Sequence, residues 1–153
     1  MNHMISVERI LLIVWVGGMW TVGFLVAPTL FTMLDSRVTA GNIAGKLFST
    51  TAYIGLICGV LLLGLAWKTH GQQLRRHWQP WVVAAMLILT AIGQFVITPL
   101  MREARSTGLS DPAVSDRFQL LHGFSTALFV IAGLLGLVIA WFGVIRPVGR
   151  SER

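Results

Sequence analysis

Four stretches of this chain carry no Asp, Glu, Lys or Arg: Ile10 to Leu34, Leu47 to Trp67, His77 to Met101 and Phe118 to Ile145. Each exceeds the roughly 20 apolar residues that take a helix across the hydrocarbon core of a bilayer. A soluble core of this size has no use for four such runs. The pattern predicts an all-α fold, an integral membrane bundle of four transmembrane helices. The spans fall at about 8–34, 46–68, 79–101 and 117–145, and 1–153 form a single domain.

Punctuation along the chain refines the spans. Pro28 falls in the last turns of the first and is expected to bend it, because proline removes a backbone hydrogen bond. The connection from Asp35 to Lys46 is polar and rich in small residues, with helix expected only toward its end. The linker from Thr69 to Gln79 contains Gly71, Arg75, Arg76 and His77. Pro80 stands at a favourable first-turn position for the third helix, and Pro99 lies near that helix's outer end. In the last connection, Ser110-Asp111-Pro112 is a helix-start signal for a short turn.

Small residues recur at helix-packing intervals: Gly41 with Gly45, Gly55 with Gly59, and Ala132, Gly136 and Ala140. Gly17, Gly18 and Gly23 flatten part of the first span. In lipid such residues let backbones approach closely, a main route to helix association. Trp67, Trp78, Trp81 and Trp141 fall near span ends, where indoles favour the membrane interface. Trp15 and Trp20 are deeper and are expected between helices. No repeat relates the two halves, so an inverted-repeat transporter is not indicated.

Composition and charge narrow the class. Hydrophobic residues make up 55% and charged residues 12%, about half the charge of a soluble domain. The first run is about twice the length of a signal-peptide core and lacks a small-x-small cleavage site, so it is expected to stay attached. Cys58, the single cysteine, rules out an intramolecular disulfide and any CxxC motif. Net charge is +6, but its distribution argues for topology rather than nucleic acid. Arg9, Lys68, Arg75, Arg76, Arg146, Arg150 and Arg153 share one side with Glu8 and Glu152. Arg37, Lys46, Arg102, Arg105 and Arg117 share the other with Asp35, Glu103, Asp111 and Asp116. The excess of basic residues places both termini in the cytoplasm and attracts anionic headgroups. The expected location is a bacterial inner membrane, with lipid and a second copy or another membrane protein as partners.

Candidate chemistry gathers at the outer side. His122 is the one histidine inside a membrane run; His3, His70 and His77, the last at the edge of the third run, belong to cytoplasmic segments. An ionisable residue in the membrane is costly and therefore a default site candidate. With Met33 and Met101 it offers a nitrogen and two thioethers, a set suited to a soft metal such as Cu(I). The structural reading is that His122 hydrogen-bonds Ser125, Gln94 or a loop carbonyl and fastens the outer end. Arg102, Arg105 and Arg117 form a polar cluster with Asp35, Glu103 and Asp116, able to order the loops or collect an anion. Gln94 is expected to hydrogen-bond across helices, worth on the order of 1 kcal/mol in a membrane. Phosphate loops, GxSxG elbows, HExxH pairs and paired intramembrane carboxylates are missing. No catalytic residue is assigned.

Trp15-Val-Gly-Gly-Met-Trp20, Gly23, Ala27-Pro-Thr-Leu-Phe31, Leu34-Asp35, Ala40-Gly41, Ala44-Gly45, Leu47-Phe48 and Tyr53-Ile-Gly55 resemble the TMEM205-like (DUF4149) family of four-helix membrane proteins. Pro99-Leu-Met101, Leu121-His-Gly123 and Ser125 extend the likeness from Glu8 to about Val144. The resemblance implies architecture, with a hint of metal or drug handling. Through the Trp-x-Gly-Gly stretch the chain is also distantly similar to CopD-type copper-resistance proteins and HemJ-type oxidases. It lacks the histidine that the HemJ type carries at the start of its first span, which speaks against haem.

The leading expectation is a non-enzymatic bundle without cofactor, acting as a structural or interaction component. The alternatives are a copper- or haem-linked membrane protein using His122, Met33 and Met101, and a small-solute transporter for which Thr90, Gln94 and Thr98 make only a fragment of a path. The topology is open to direct measurement. Reporter fusions after Arg75 and after Arg153 should report the same compartment; opposite compartments would overturn the four-span reading.

Overall fold

The computed structural model describes residues 2–108 and 111–145. Ser110 and the tail residues Arg146, Arg150, Glu152 and Arg153 lie outside the described residues, as do the side chains of His3 and His70. The described residues form helices α1 (Asn2–Trp20), α2 (Ala27–Met33), α3 (Arg37–His70), α4 (Gln79–Ile92), α5 (Thr98–Thr107) and α6 (Pro112–Ile145). A π-helical segment, Thr21–Val26, joins α1 to α2, and another, Gly93–Ile97, joins α4 to α5. Four of the resulting rods are long and apolar enough to cross a membrane. The protein is an all-α integral membrane protein, because only helices that satisfy their own backbone can cross lipid this way.

The two π segments have one cause. Pro28 and Pro99 have no N–H, and each ring crowds the carbonyl four residues back. An extra residue in the preceding turn moves the bonds outward. Ala27 N–H donates to the carbonyl of Val22, and Thr98 N–H to that of Gly93. The Thr98 hydroxyl also donates to the Gly93 carbonyl at 2.9 Å. Pro28 therefore leaves the first rod helical on both sides of it and shifts its register.

The helices outrun the charge-free segments at one end. Ser36 caps α3, its hydroxyl accepting from Thr39 N–H at 3.3 Å. Almost all of the connection read as partly helical is therefore helix from Arg37. Asp111 starts α6, its carboxylate accepting from Ala113 N–H at 2.9 Å, and α5 continues past Arg102 to Thr107. Glycines with positive φ close the other ends, Gly71 after α3 and Gly108 after α5, a backbone setting where a Cβ is strained.

Each rod packs on the next in the chain: α1 on α3, α3 on α4, α4 on α6, with α6 returning to α1. The bundle is thus an antiparallel ring. One end, here the terminal end, holds the start of α1, the α3–α4 junction and the end of α6. The distal end holds the α2–α3 and α5–α6 connections.

Trp15 is the keystone of the core, 1% exposed, with Val16, Met19, Cys58, Leu62, Val83, Met86, Ala132 and Ile139 around it. Its ring lies along α3. The nitrogen edge meets Gly55 and the far edge meets Gly59, where a Cβ would stand 2.9 Å from Cη2. On α6, Gly136 receives Val16 at 2.6 Å and the end of Met86 at 3.1 Å, by the same measure. Phe129 fills the space at Gly23, and Trp20 Nε1–H donates to the Gly133 carbonyl at 3.4 Å. Trp15 and Trp20 thus lie between helices as their depth predicts. Trp67, Trp78, Trp81 and Trp141 are exposed and collect at the terminal end.

The small-residue intervals separate into two kinds. Gly55 and Gly59 are occupied by Trp15, whereas Gly17, Gly45 and Gly64 face outward with nothing within 4 Å. Adding one methyl at Gly55 overpacks the core, a change that typically costs about 1–3 kcal/mol. Gly55→Ala should lower the unfolding midpoint in a mixed-micelle SDS titration, while Gly45→Ala leaves it unchanged or raises it slightly. Equal midpoints for the two variants would remove Trp15 as the keystone.

Candidate functional site

The distal end is where α3, α5 and α6 rise beyond the hydrocarbon and meet. Ala40 and Ala44 on α3 and Ala104 on α5 are buried there. Arg105, on the same turn as Ala104, donates from its guanidinium to the Asn42 side-chain carbonyl at 2.5 Å. The same guanidinium lies over Phe118, 5.2 Å from the ring centre, an arrangement worth about 0.5–1 kcal/mol at exposed sites. Gly41 leaves room for it: Arg105 passes 3.7 Å from the position a Cβ would take. One side chain thus links three helices.

The ring of Phe118 is stacked nearly parallel to His122, with centroids 6.3 Å apart. His122 is exposed on the outer surface of α6, and its backbone carbonyl accepts from the Thr126 hydroxyl at 2.9 Å. The Arg105–Phe118 contact also sets the level of Met101. Met101 precedes Arg105 by one turn on α5, and His122 follows Phe118 by one turn on antiparallel α6. At about 1.5 Å per residue, Met101 and His122 stand at the same height on packed helices. Met101 is half-buried. Met33 is 77% exposed at the end of α2, which packs on α3. Two of the three soft-metal candidates therefore share a level on neighbouring helices, and the third stands on another rod.

Arg102, Arg117, Asp35, Glu103 and Asp116 are all exposed at this end, and Ser125 is half-buried on α6. Sequence reasoning expected carboxylates to partner Arg105 and overlooked Asn42 and Phe118. Asn42 lay in a segment read as a connection, so its place on a helix one step from Gly41 was hidden.

Gln94 is the exception to outward polarity. It is 7% exposed, the one buried polar side chain among the described residues, and it sits in the π segment Gly93–Ile97. Neighbouring Thr90 and Thr98 turn their hydroxyls back on their own helix, to the carbonyls of Met86 at 2.8 Å and Gly93. They do not extend a polar path from Gln94. A shallow recess runs along α6, lined by Asp116, Gln119, Leu120, Gly123, Phe124 and Ala127.

The family described as Domain of unknown function (DUF4149) matches residues 10–110. The chain belongs to this family. The matched segment holds three rods, Arg105, Asn42 and Gln94, and it ends before α6, so His122 and Ser125 lie beyond it. No curated protein and no solved structure matches the chain.

Arg105→Gln should lower stability by about 1 kcal/mol, the combined scale of an exposed polar contact and a cation–π contact. Asn42→Ala in that background should add little, because the two changes remove one shared interaction. Fully additive losses in the same SDS titration would separate the two residues.

Proposed function

We propose that this protein is a non-enzymatic membrane bundle that works by associating with a second copy in the plane of the membrane. The observation that carries this is the recess on α6. Gly123 faces outward with nothing within 4 Å, and with Ala127 it floors a hollow rimmed by Leu120 and Phe124. Small residues four apart let two helices come close, and in lipid such packing drives association. A two-fold pairing would set the same face of α6 against itself. The centre of the monomer points the same way, since Trp15, Val16 and Met86 fill it across Gly55, Gly59 and Gly136.

The finer placement belongs to this proposal. The membrane is a bacterial cytoplasmic membrane, with the terminal end inside the cell. Arg9, Lys68, Arg75 and Arg76, with the exposed Trp67, Trp78, Trp81 and Trp141, support that orientation. Kinship to TMEM205-like proteins is part of the same reading. The rival is metal handling through His122 and Met101, supported by their shared level and opposed by the exposure of Met33.

Subunit counting by photobleaching in vesicles should show dimers at high protein-to-lipid ratio, and Gly123→Leu should shift the population to monomers. Monomers at every ratio would overturn self-association. Cu(I) bound stoichiometrically by the native protein and lost in His122→Ala would install the rival.

A further inference from the structure

Letter by letter the two halves of the chain look unrelated, but their bends and seats coincide. Phe24-Leu-Val-Ala-Pro28 and Phe95-Val-Ile-Thr-Pro99 each cover the end of a π segment and the proline two residues beyond it. The displaced backbone bonds fall in the same register, Ala27 N–H to Val22 and Thr98 N–H to Gly93. Setting Pro28 on Pro99 sets Trp15 on Met86 and Val16 on Leu87. The rods that follow, α3 and α6, are 34 residues each. Setting Gly59 on Gly136 sets Gly55 on Ala132 and Leu62 on Ile139.

The contacts obey the same matches. Gly59 receives Leu87, 2.7 Å from where a Cβ would stand, and Trp15 at 2.9 Å. Gly136 receives Val16 at 2.6 Å and Met86 at 3.1 Å. Exchange Trp15 with Met86, Val16 with Leu87 and Gly59 with Gly136, and one seat becomes the other. Trp15 and Met86 are also the largest fully buried side chains among the described residues, while outside Phe24 and Phe95 are 56% and 58% exposed. The exchange preserves the ring of α1, α3, α4 and α6. Matched rods run in the same direction along the bundle. The relation is therefore a rotation about an axis along the membrane normal, the parallel kind of repeat rather than the inverted kind.

We infer that the bundle is two copies of one two-rod unit, α1 through α3 and α4 through α6, docked on each other through a single self-complementary surface about that axis. In a two-fold contact every pair occurs twice, once in each direction. Val16 with Gly136 and Leu87 with Gly59 are such a double pair. The surface fits a second unit of its own kind: each copy offers a glycine on its second rod and takes an aliphatic side chain from the first rod of the other. Within each copy the sizes are matched. The broad ring of Trp15 lies at Gly55, and the axis sets the thinner, unbranched Met86 with Ala132 in the same core cluster. The outer faces have diverged, since Lys46 and Thr50 stand where the second copy has Gly123 and Ala127. The floor of the hollow on α6 belongs to the second copy alone, and the repeat does not rest on the self-association proposed above.

The test uses the full-length protein. Exchanging the core pair, Trp15→Met with Met86→Trp, should lower the unfolding midpoint in the SDS titration. Exchanging their seats, Gly55→Ala with Ala132→Gly, should lower it too. The fourfold variant puts the first copy's layer into the second copy and the reverse, so its midpoint should return most of the way to the native value. Losses that simply add in the fourfold variant would overturn the repeat. Spin-label distances in nanodiscs, in a Cys58→Ala background, give a reading that leaves the Trp15 and Met86 layer intact. Labels at the exposed positions Ile10 and Leu134, and at their exposed matches Trp81 and Ile57, cross the two contacts between the units and should give one distance. Two distances differing by more than the labels' own spread would overturn the axis, and this measurement decides alone if the exchanged variants do not fold.

Discussion

The structure depends on one contact, the edge of Trp15 laid along Gly55 and Gly59 of α3. Lipid tails are as apolar as leucine, so burying apolar area does little to hold membrane helices together. Close packing must do it instead, and close packing needs a ridge and a matching absence. Trp15 supplies the ridge, and two glycines one turn apart supply the absence. The neighbouring Val16 repeats the device against Gly136 on α6. The first rod is thereby wedged between two others, and α4 closes the ring through Met86.

The prolines show how a local constraint becomes a feature of the interior. Pro28 and Pro99 each stand two residues beyond a π segment. In each case the helix absorbs the missing N–H by widening a turn rather than breaking. At the second segment the widened turn carries Gln94, while the Thr98 hydroxyl answers the Gly93 carbonyl. Backbone repair and placement of the buried amide therefore occur in the same five residues.

The distal end was only partly legible beforehand. That Arg105, Arg102 and Arg117 would gather with acidic residues followed from where the charges stop along the chain. That Arg105 would instead bridge Asn42 and Phe118 required knowing that α3 begins at Arg37, one turn before Gly41. Charge is a weak guide to pairing at an exposed surface, because water and salt leave each ion pair worth little. Shape decided the matter: Gly41 leaves space on α3 that the long side chain occupies. The level shared by Met101 and His122 is a consequence of that same contact.

Sequence alone determined the solvent and the class of fold, because crossing lipid depends on run length and on the absence of charge, both additive along a chain. It also located the deep tryptophans and the helix-start signals at Pro80 and Asp111, which act within a few residues. It left the glycines undivided. Gly45 and Gly55 look alike in a string of letters, yet one faces open space and the other receives Trp15. Which face of a helix turns inward depends on its neighbours around the ring, and that arrangement is a property of the assembled bundle. The tertiary structure decided it, and with it the burial of Gln94 and the outward hollow at Gly123.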